Sequence, residues 1–256
     1  MLRRSFTHVA GALTVAVAMA LLAGATGSAV KARPEQDREA RALDFQHLGT
    51  YGGSYTAVVV TGTRALATRG RVLEVLDVAD PAAPRLLAAS AQLPAGARVA
   101  AAGPGVAYLV ERDSSAPDID DRFDQLHVVT VRDSGAPALA GSLRLPHHAL
   151  EDVLAVGRLL FGAGSKEGVV RIDASDPSKP NLEQVLDLGA GVSGLAAWDG
   201  RLLAAATDSD HGGWLVVLEP LGALHPNEIA RIRTGGTTGK IAVTGHYAFV
   251  ESRQSR

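Results

Sequence analysis

Leu73-Glu-Val-Leu-Asp-Val-Ala-Asp-Pro-Ala-Ala-Pro84 is the stretch that decides the fold. An alternating apolar run ends in Asp77 and is followed at once by Asp80-Pro81 and Pro84. That is a short strand stopped by turn chemistry, because proline fixes φ and offers no N–H, while aspartate folds back on its own backbone. Working outward, two further apolar runs precede it, 56–61 and 64–68, divided by Gly62, and a fourth, Arg85-Leu-Leu87, follows. Four short runs separated by turns make one unit.

The unit recurs. Val169-Val-Arg-Ile-Asp173 followed by Ser175-Asp-Pro-Ser-Lys-Pro180 repeats the quoted stretch, and looser copies run from Leu126 to Pro137 and from Leu215 to Pro226. Gly62, Gly105, Gly157, Gly200 and Gly245 are 43, 52, 43 and 45 residues apart, and Pro84, Pro137, Pro180 and Pro226 are 53, 43 and 46 apart. Two independent markers keep one period, and periods of 20 to 50 residues signal stacked repeats. None of the apolar runs has the ten or so residues of a helix, and Val, Gly and Pro punctuate them throughout. The fold class expected is all-β, a β-propeller of four-stranded blades, about four complete and one incomplete. A blade of this size cannot cover both its faces alone, and radial stacking covers them.

Blades are expected over about 54–96, 97–148, 149–190 and 191–235, with a partial one at 236–256. Residues 43–53 are a candidate closing strand for that last unit. The fifth unit stops before its third strand, so either the closing blade is three-stranded or the chain is a piece of a longer product, the second being the favoured expectation.

The quoted stretch and its copy at 170–180 resemble the LVIVD repeat of bacterial and archaeal cell-surface proteins, over about residues 44–250. Asp77 and Asp173 keep the terminal aspartate of that repeat's third strand, Asp133 is displaced, and Glu219-Pro220 is a partial substitute. The resemblance implies a β-propeller at the cell surface and carries no catalytic residues with it.

The N-terminus adds a compartment. Arg3-Arg4 precede a small-apolar stretch from Val9 to Ala25 and then Gly27-Ser28-Ala29, the pattern of a signal peptide cleaved near Ala29. Arg3-Arg4-Ser5-Phe6 resembles the core of twin-arginine signals, with Leu2 where those carry Ser or Thr, so the Sec and twin-arginine routes both stay open. The product is expected in the periplasm, at the cell surface or outside the cell, with no transmembrane segment after cleavage. Leu21-Leu22-Ala23-Gly24 lacks the cysteine that lipid anchoring needs, since Ala25 follows. Residues 30–42 are a polar spacer.

Composition removes several functions. The chain has no cysteine, hence no disulfide, thiolate nucleophile or Cys-ligated metal. A formal net charge of -2 with scattered Lys and Arg argues against nucleic acid as a partner. No phosphate loop, dinucleotide fingerprint or nucleophile elbow is present, so no cofactor is called for and catalysis is not the leading expectation.

The richest local chemistry is the insertion 113–125, where Asp118, Asp120, Asp121 and Asp124 offer carboxylates to a hard cation such as Ca²⁺. It lacks the central Gly and terminal Glu of an EF-hand loop. His147-His148 with Glu151-Asp152, and Asp208-Ser-Asp210-His211, are polar clusters that turns explain equally well. Core packing is expected for Tyr108, Phe161, Trp198, Trp214 and Tyr247. The functional expectation is a binding module for a protein or glycan at the cell surface. The alternatives are a propeller hydrolase or lyase using carboxylates near the axial channel, and a structural envelope protein.

Overall fold

The computed structural model describes residues 14–18, 51, 54–93, 97–112, 123–133, 135–146, 150–164, 168–210, 212–219, 221, 223 and 225–253. Every regular element among them is a strand. After β1 (Thr14–Ala18) come β2 (Ala57–Thr61), β3 (Arg64–Arg69), β4 (Val72–Asp77) and β5 (Arg85–Ala89), which form one four-stranded sheet in chain order. The second sheet holds β6 (Arg98–Gly103), β7 (Val106–Arg112), β8 (Phe123–Thr130) and β9 (Ala138–Pro146). The third holds β10 (Leu150–Val156), β11 (Leu159–Gly164), β12 (Gly168–Asp173) and β13 (Asn181–Leu186). The fourth holds β14 (Gly191–Trp198), β15 (Arg201–Thr207), β16 (Gly213–Glu219) and β17 (Asn227–Arg233). In the fifth, β18 (Thr237–Thr244) pairs with β19 (Tyr247–Arg253), and β1 lies antiparallel on the other edge of β19.

The periodic glycines have one structural meaning. Gly62, Gly105, Gly157, Gly200 and Gly245 each sit in the hairpin between the first and second strands of a sheet, with φ between 55 and 73°. Tight hairpins need this left-handed backbone, which glycine adopts without steric cost. The aspartates of the quoted stretch are equally specific. Asp77 Oδ1 accepts the N–H of Ala79 and Asp80 Oδ1 that of Ala82, at 3.0 and 2.9 Å, and Asp173 and Asp176 do the same for Ser175 and Ser178. All four aspartates, two in each turn, therefore bend the chain from third to fourth strand.

Four apolar clusters hold the sheets together, and each straddles a neighbouring pair. Leu66, Leu73 and Val75 of the first sheet meet Leu109 and Val129 of the second, whose Tyr108, Leu126 and Val128 meet Leu160, Val170 and Ile172 of the third. Phe161, Ala163 and Val169, on the opposite face of that third sheet, meet Leu202, Ala204 and Val216 of the fourth. Leu203, Ala205 and Val217 then meet Ala248 and Val250 of the fifth. Alternate residues of one strand thus serve two interfaces. The same alternation explains why the middle strands read as continuous apolar runs rather than as polar–apolar alternation.

Residues 43–50, 52 and 53, the candidate closing strand, lie outside the described residues, as do the spacer 30–42 and all of 1–29 except β1. The strand on the edge of β19 away from β18 comes from residues 14–18. Of the five aromatics expected in the core, Tyr108 and Phe161 are fully buried, whereas Trp198 and Trp214 are half-buried and Tyr247 is exposed. Trp198 instead caps a hairpin, its indole N–H donating to the Gly245 carbonyl at 3.0 Å.

Candidate functional site

The first strands of successive sheets, β2, β6, β10, β14 and β18, run side by side along the axis. Four of them carry an irregularity at the same level. Pairing slips between Val99 and Ala101, between Leu150 and Asp152, between Val192 and Gly194, and between Thr238 and Ile241. Each slip leaves an extra residue: Ala100, Glu151, Ser193, and Gly239 with Lys240. A bulge bends its strand and re-aims a side chain, and bulges gather beside functional sites.

The bulges are stitched to one another. Arg98 donates to the Leu150 carbonyl at 3.2 Å. Asp152 Oδ2 accepts the Leu195 N–H at 3.0 Å, and its Oδ1 lies 2.9 Å from Lys240 Nζ, which also donates to the Glu151 carbonyl at 2.7 Å. Ser193 Oγ donates to the Thr238 carbonyl at 2.7 Å, and the Thr238 N–H donates to Thr207 Oγ1 at 2.9 Å. Close approach makes Gly194 necessary, since a Cβ there would stand 2.5 Å from the Gly239 carbonyl oxygen.

Two cavities open on this seam. One, of about 200 Å³, is lined by Thr56, Arg98, Glu151, Asp152 and Lys240 among others. The second, of about 270 Å³, is lined by Glu151, Ser193, Thr238, Lys240, Glu251 and Arg253 with Thr237 and Gly239. Sites that enclose a whole small molecule run from roughly 300 to 1,000 Å³, and both of these lie below that range. Each is lined by two cations and two carboxylates, Arg98, Lys240, Glu151 and Asp152 in the first and Lys240, Arg253, Glu151 and Glu251 in the second. The Lys240 side chain is 57% exposed, and an exposed ion pair contributes about 0–1 kcal/mol. Lys240→Ala is therefore expected to leave the melting temperature within a few degrees of wild type, measured by differential scanning calorimetry.

The acidic insertion is only partly within view. Asp118, Asp120 and Asp121 lie outside the described residues. Asp124 is buried on β8, and its Oδ2 accepts the Leu150 N–H at 2.6 Å, tying the second sheet to the third. His147, His148 and His211 also lie outside the described residues, while Glu151 and Asp152 belong to the axial seam. Asp208 organises the turn before β16. Its Oδ2 accepts the Trp214 indole N–H at 2.9 Å, and its Oδ1 accepts the N–H groups of Gly212 and Asp210.

Sequence reasoning missed one group. His127 is buried on β8 with Nδ1 2.7 Å from Ser142 Oγ on β9 and Nε2 3.0 Å from Glu111 Oε2 on β7. Cross-strand register sets Ser142 opposite His127, and Glu111, two residues past His127's other partner Leu109, reaches it diagonally, so their spacing along the chain gives no signal. The line satisfies both nitrogens of a buried imidazole, as burial requires.

Several carboxylates are held below the ordinary range. For Asp208 the Trp214 indole N–H is the main cause, with the Gly212 N–H next. For Asp176 it is the Ser178 hydroxyl, followed by the Ser178 N–H. For Asp77 it is the Ala79 N–H, then Arg85. A depressed folded value means that the unfolded chain binds protons first, so the stability from these turns is complete above the ordinary aspartate range, about 3.9, and is lost as pH falls through the folded values. Thermal melts are expected to drop on acidification through that window. Asp208→Asn should show a shallower drop than wild type.

The comparisons with known proteins agree with this architecture. The LVIVD repeat family model matches residues 151–187 and 235–254. The matched stretches lie in the third and fifth sheets, and the chain carries LVIVD repeats there. Among solved structures, a functionally unknown protein from Desulfotomaculum acetoxidans DSM 771 is similar in fold, with a TM-score of 0.61 at 12% identity. That match covers 78% of this chain and 64% of the other, so the chain spans less than two thirds of that protein's length. The computationally designed Ika4 protein matches with a TM-score of 0.47 at 12% identity, over 68% of this chain and 98% of that one. The Cps50 (Swd1) β-propeller domain of Myceliophteria thermophila matches with a TM-score of 0.40 at 12% identity, over 80% and 85%. No curated protein matches.

Proposed function

We propose that this LVIVD propeller is an exported binding module that engages a protein or glycan ligand at the cell surface through the axial seam. The observation that carries the reading is the set of bulges on four successive first strands, which turn Glu151, Ser193 and Lys240 toward two small cavities. Charged groups already bonded to a neighbour, as Lys240 is to Asp152 and to the Glu151 carbonyl, present their remaining donors in fixed directions. Fixed donors favour recognition, because little side-chain freedom is lost on binding. Rigid scaffolds with polar groups at one mouth are where such folds place ligands.

The test is capture of surface proteins and glycans on arrays by wild type and by the Arg98→Ala/Lys240→Ala double variant. Ligand retained by the first and lost by the second at unchanged melting temperature supports the axis as the site. Equal capture by both removes it. A second reading, a hydrolase or lyase, has one observation in its favour: Glu151 and Asp152 stand side by side on the axial strand β10. Turnover of a glycan that disappears in Glu151→Gln would favour that reading over simple binding.

Export has its own check. The chain recovered from the host envelope is expected to begin at Val30, as intact mass and N-terminal sequencing would show. A chain that begins at Met1 in the cell interior would refute export.

A further inference from the structure

We infer that Ser142 is the nucleophile of an esterase site on the second sheet, with His127 as its base, Glu111 positioning that base, and Arg144 anchoring a carboxylate of the ester. The site lies on β7, β8 and β9 and owes nothing to the axial seam. Ser142 stands opposite His127, and in the next row of the same face Glu111, Gln125 and Arg144 stand opposite one another, with Phe123 one row further. Residues directly opposite, or two apart on one strand, share a face of the sheet.

His127 Nε2 is 3.0 Å from Glu111 Oε2, and its Nδ1 is 2.7 Å from Ser142 Oγ. A carboxylate only accepts, so the Nε2 proton points to Glu111 and Nδ1 keeps its lone pair. The Ser142 hydroxyl therefore donates to Nδ1. A hydroxyl bonded to a base that a third group orients is the arrangement that activates serine for attack. Burial is divided to match: the imidazole is buried, while Ser142 is exposed to an incoming substrate. The strand is also held in place, since a Cβ on neighbouring Gly141 would stand 2.5 Å from the Pro177 carbonyl oxygen of the third sheet. In the reaction, Ser142 Oγ bonds to the ester carbonyl carbon as its proton passes to Nδ1. The bond to the alcohol oxygen then breaks, and the alcohol leaves with that proton. Water attacks the acyl-serine by the same route, returns a proton through Nδ1 to Ser142 Oγ, and releases the acid.

Arg144 gives the substrate class. It is exposed, its guanidinium carbon lies 3.8 Å from the centre of the Phe123 ring, and it has no carboxylate partner among the described residues. A guanidinium laid on a ring keeps its N–H edge for a planar anion. Arg144 is two residues beyond Ser142, and Phe123 is level with Pro146, four beyond. At about 3.3 Å per residue the cation stands roughly 7–13 Å from the reacting hydroxyl. The substrate is therefore an ester that carries a carboxylate about that far from its carbonyl.

The mono-4-nitrophenyl ester of suberic acid, which has such a carboxylate, and 4-nitrophenyl octanoate, which has none, test this on the full chain. Wild type is expected to cleave the suberate with kcat/KM at least tenfold above the octanoate, and Arg144→Ala to erase that difference. A fluorophosphonate should add one adduct to wild type, seen by intact mass, and none to Ser142→Ala, which should also lose hydrolysis. Glu111→Gln should lower kcat at least tenfold and leave KM within about twofold, as befits a residue that acts through His127. Absence of hydrolysis and labelling in wild type, or their survival in Ser142→Ala, would overturn the site. Equal rates of wild type on the two esters would overturn the carboxylate anchor.

Discussion

Phe161→Ala is expected to lower the stability of the protein by about 3–5 kcal/mol, the usual cost of removing a fully buried aromatic ring. Phe161 lies on β11 with its side chain in the cluster between the third and fourth sheets, among Val192, Leu202 and Ala204. That cluster is lined by rigid strands on both sides and has little freedom to collapse into the gap, which places the cost toward the upper end of the range. For a domain of this size each kcal/mol shifts the melting temperature by roughly 2–4 °C. Urea unfolding and calorimetry on the variant would check it. Leu139→Ala, at a 46% exposed position on β9, is the control and is expected to change stability by about 0.5 kcal/mol or less.

Gly168→Ala should be nearly as damaging for a different reason. Gly168 opens β12 with φ 86°, and a Cβ there would meet the Leu186 carbonyl oxygen at 2.2 Å. Backbone strain of this type costs on the order of 1–3 kcal/mol, and forcing an added carbon against packed backbone adds about 1–3 more. Gly157→Ala separates the two effects, since its φ is 62° and nothing lies within 4 Å of the added carbon. Denaturant midpoints are expected to fall for both, with Gly168→Ala losing about 1–3 kcal/mol more than Gly157→Ala. Equal losses would mean that β13 moves aside freely at Leu186.

The repeat was legible because its markers are backbone requirements. Hairpin glycines at φ between 55 and 73° and aspartates that accept N–H groups two residues on are demanded by local geometry, so they recur at fixed spacing. The tertiary clusters were legible too, as continuous apolar runs such as Leu202 to Ala206. The axial seam was not. A bulge is a register slip between two strands; Glu151 and Asp152 stood out only as part of a polar cluster that a turn explained equally well, and Ser193 did not differ from any other polar residue near a strand start. The Glu111–His127–Ser142 line was hidden for the same reason. Its members are 16 and 15 residues apart, and only cross-strand pairing joins them. Tyr247, expected in the core, is exposed. It lies on β19, whose face away from the fourth sheet has no fifth cluster over it among the described residues.

Local likeness to the degenerate copies has a physical basis as well. Where Asp77 pairs with Arg85 at 2.9 Å in the first sheet, the fourth sheet sets Glu219 3.3 Å from Arg201. In the second sheet Asp133 reaches across to Arg64 of the first at 3.0 Å. A carboxylate near the end of the third strand is thus present in each case, with a different partner.

The most direct test of the axial seam as the binding site is amide hydrogen exchange on the protein with and without its captured ligand. Protection is predicted at the four bulges, around residues 99–101, 150–152, 192–194 and 238–241, with little change on the outermost strands β5, β9, β13 and β17. Protection confined to those outer strands, with the bulges exchanging as in the free protein, would contradict the account.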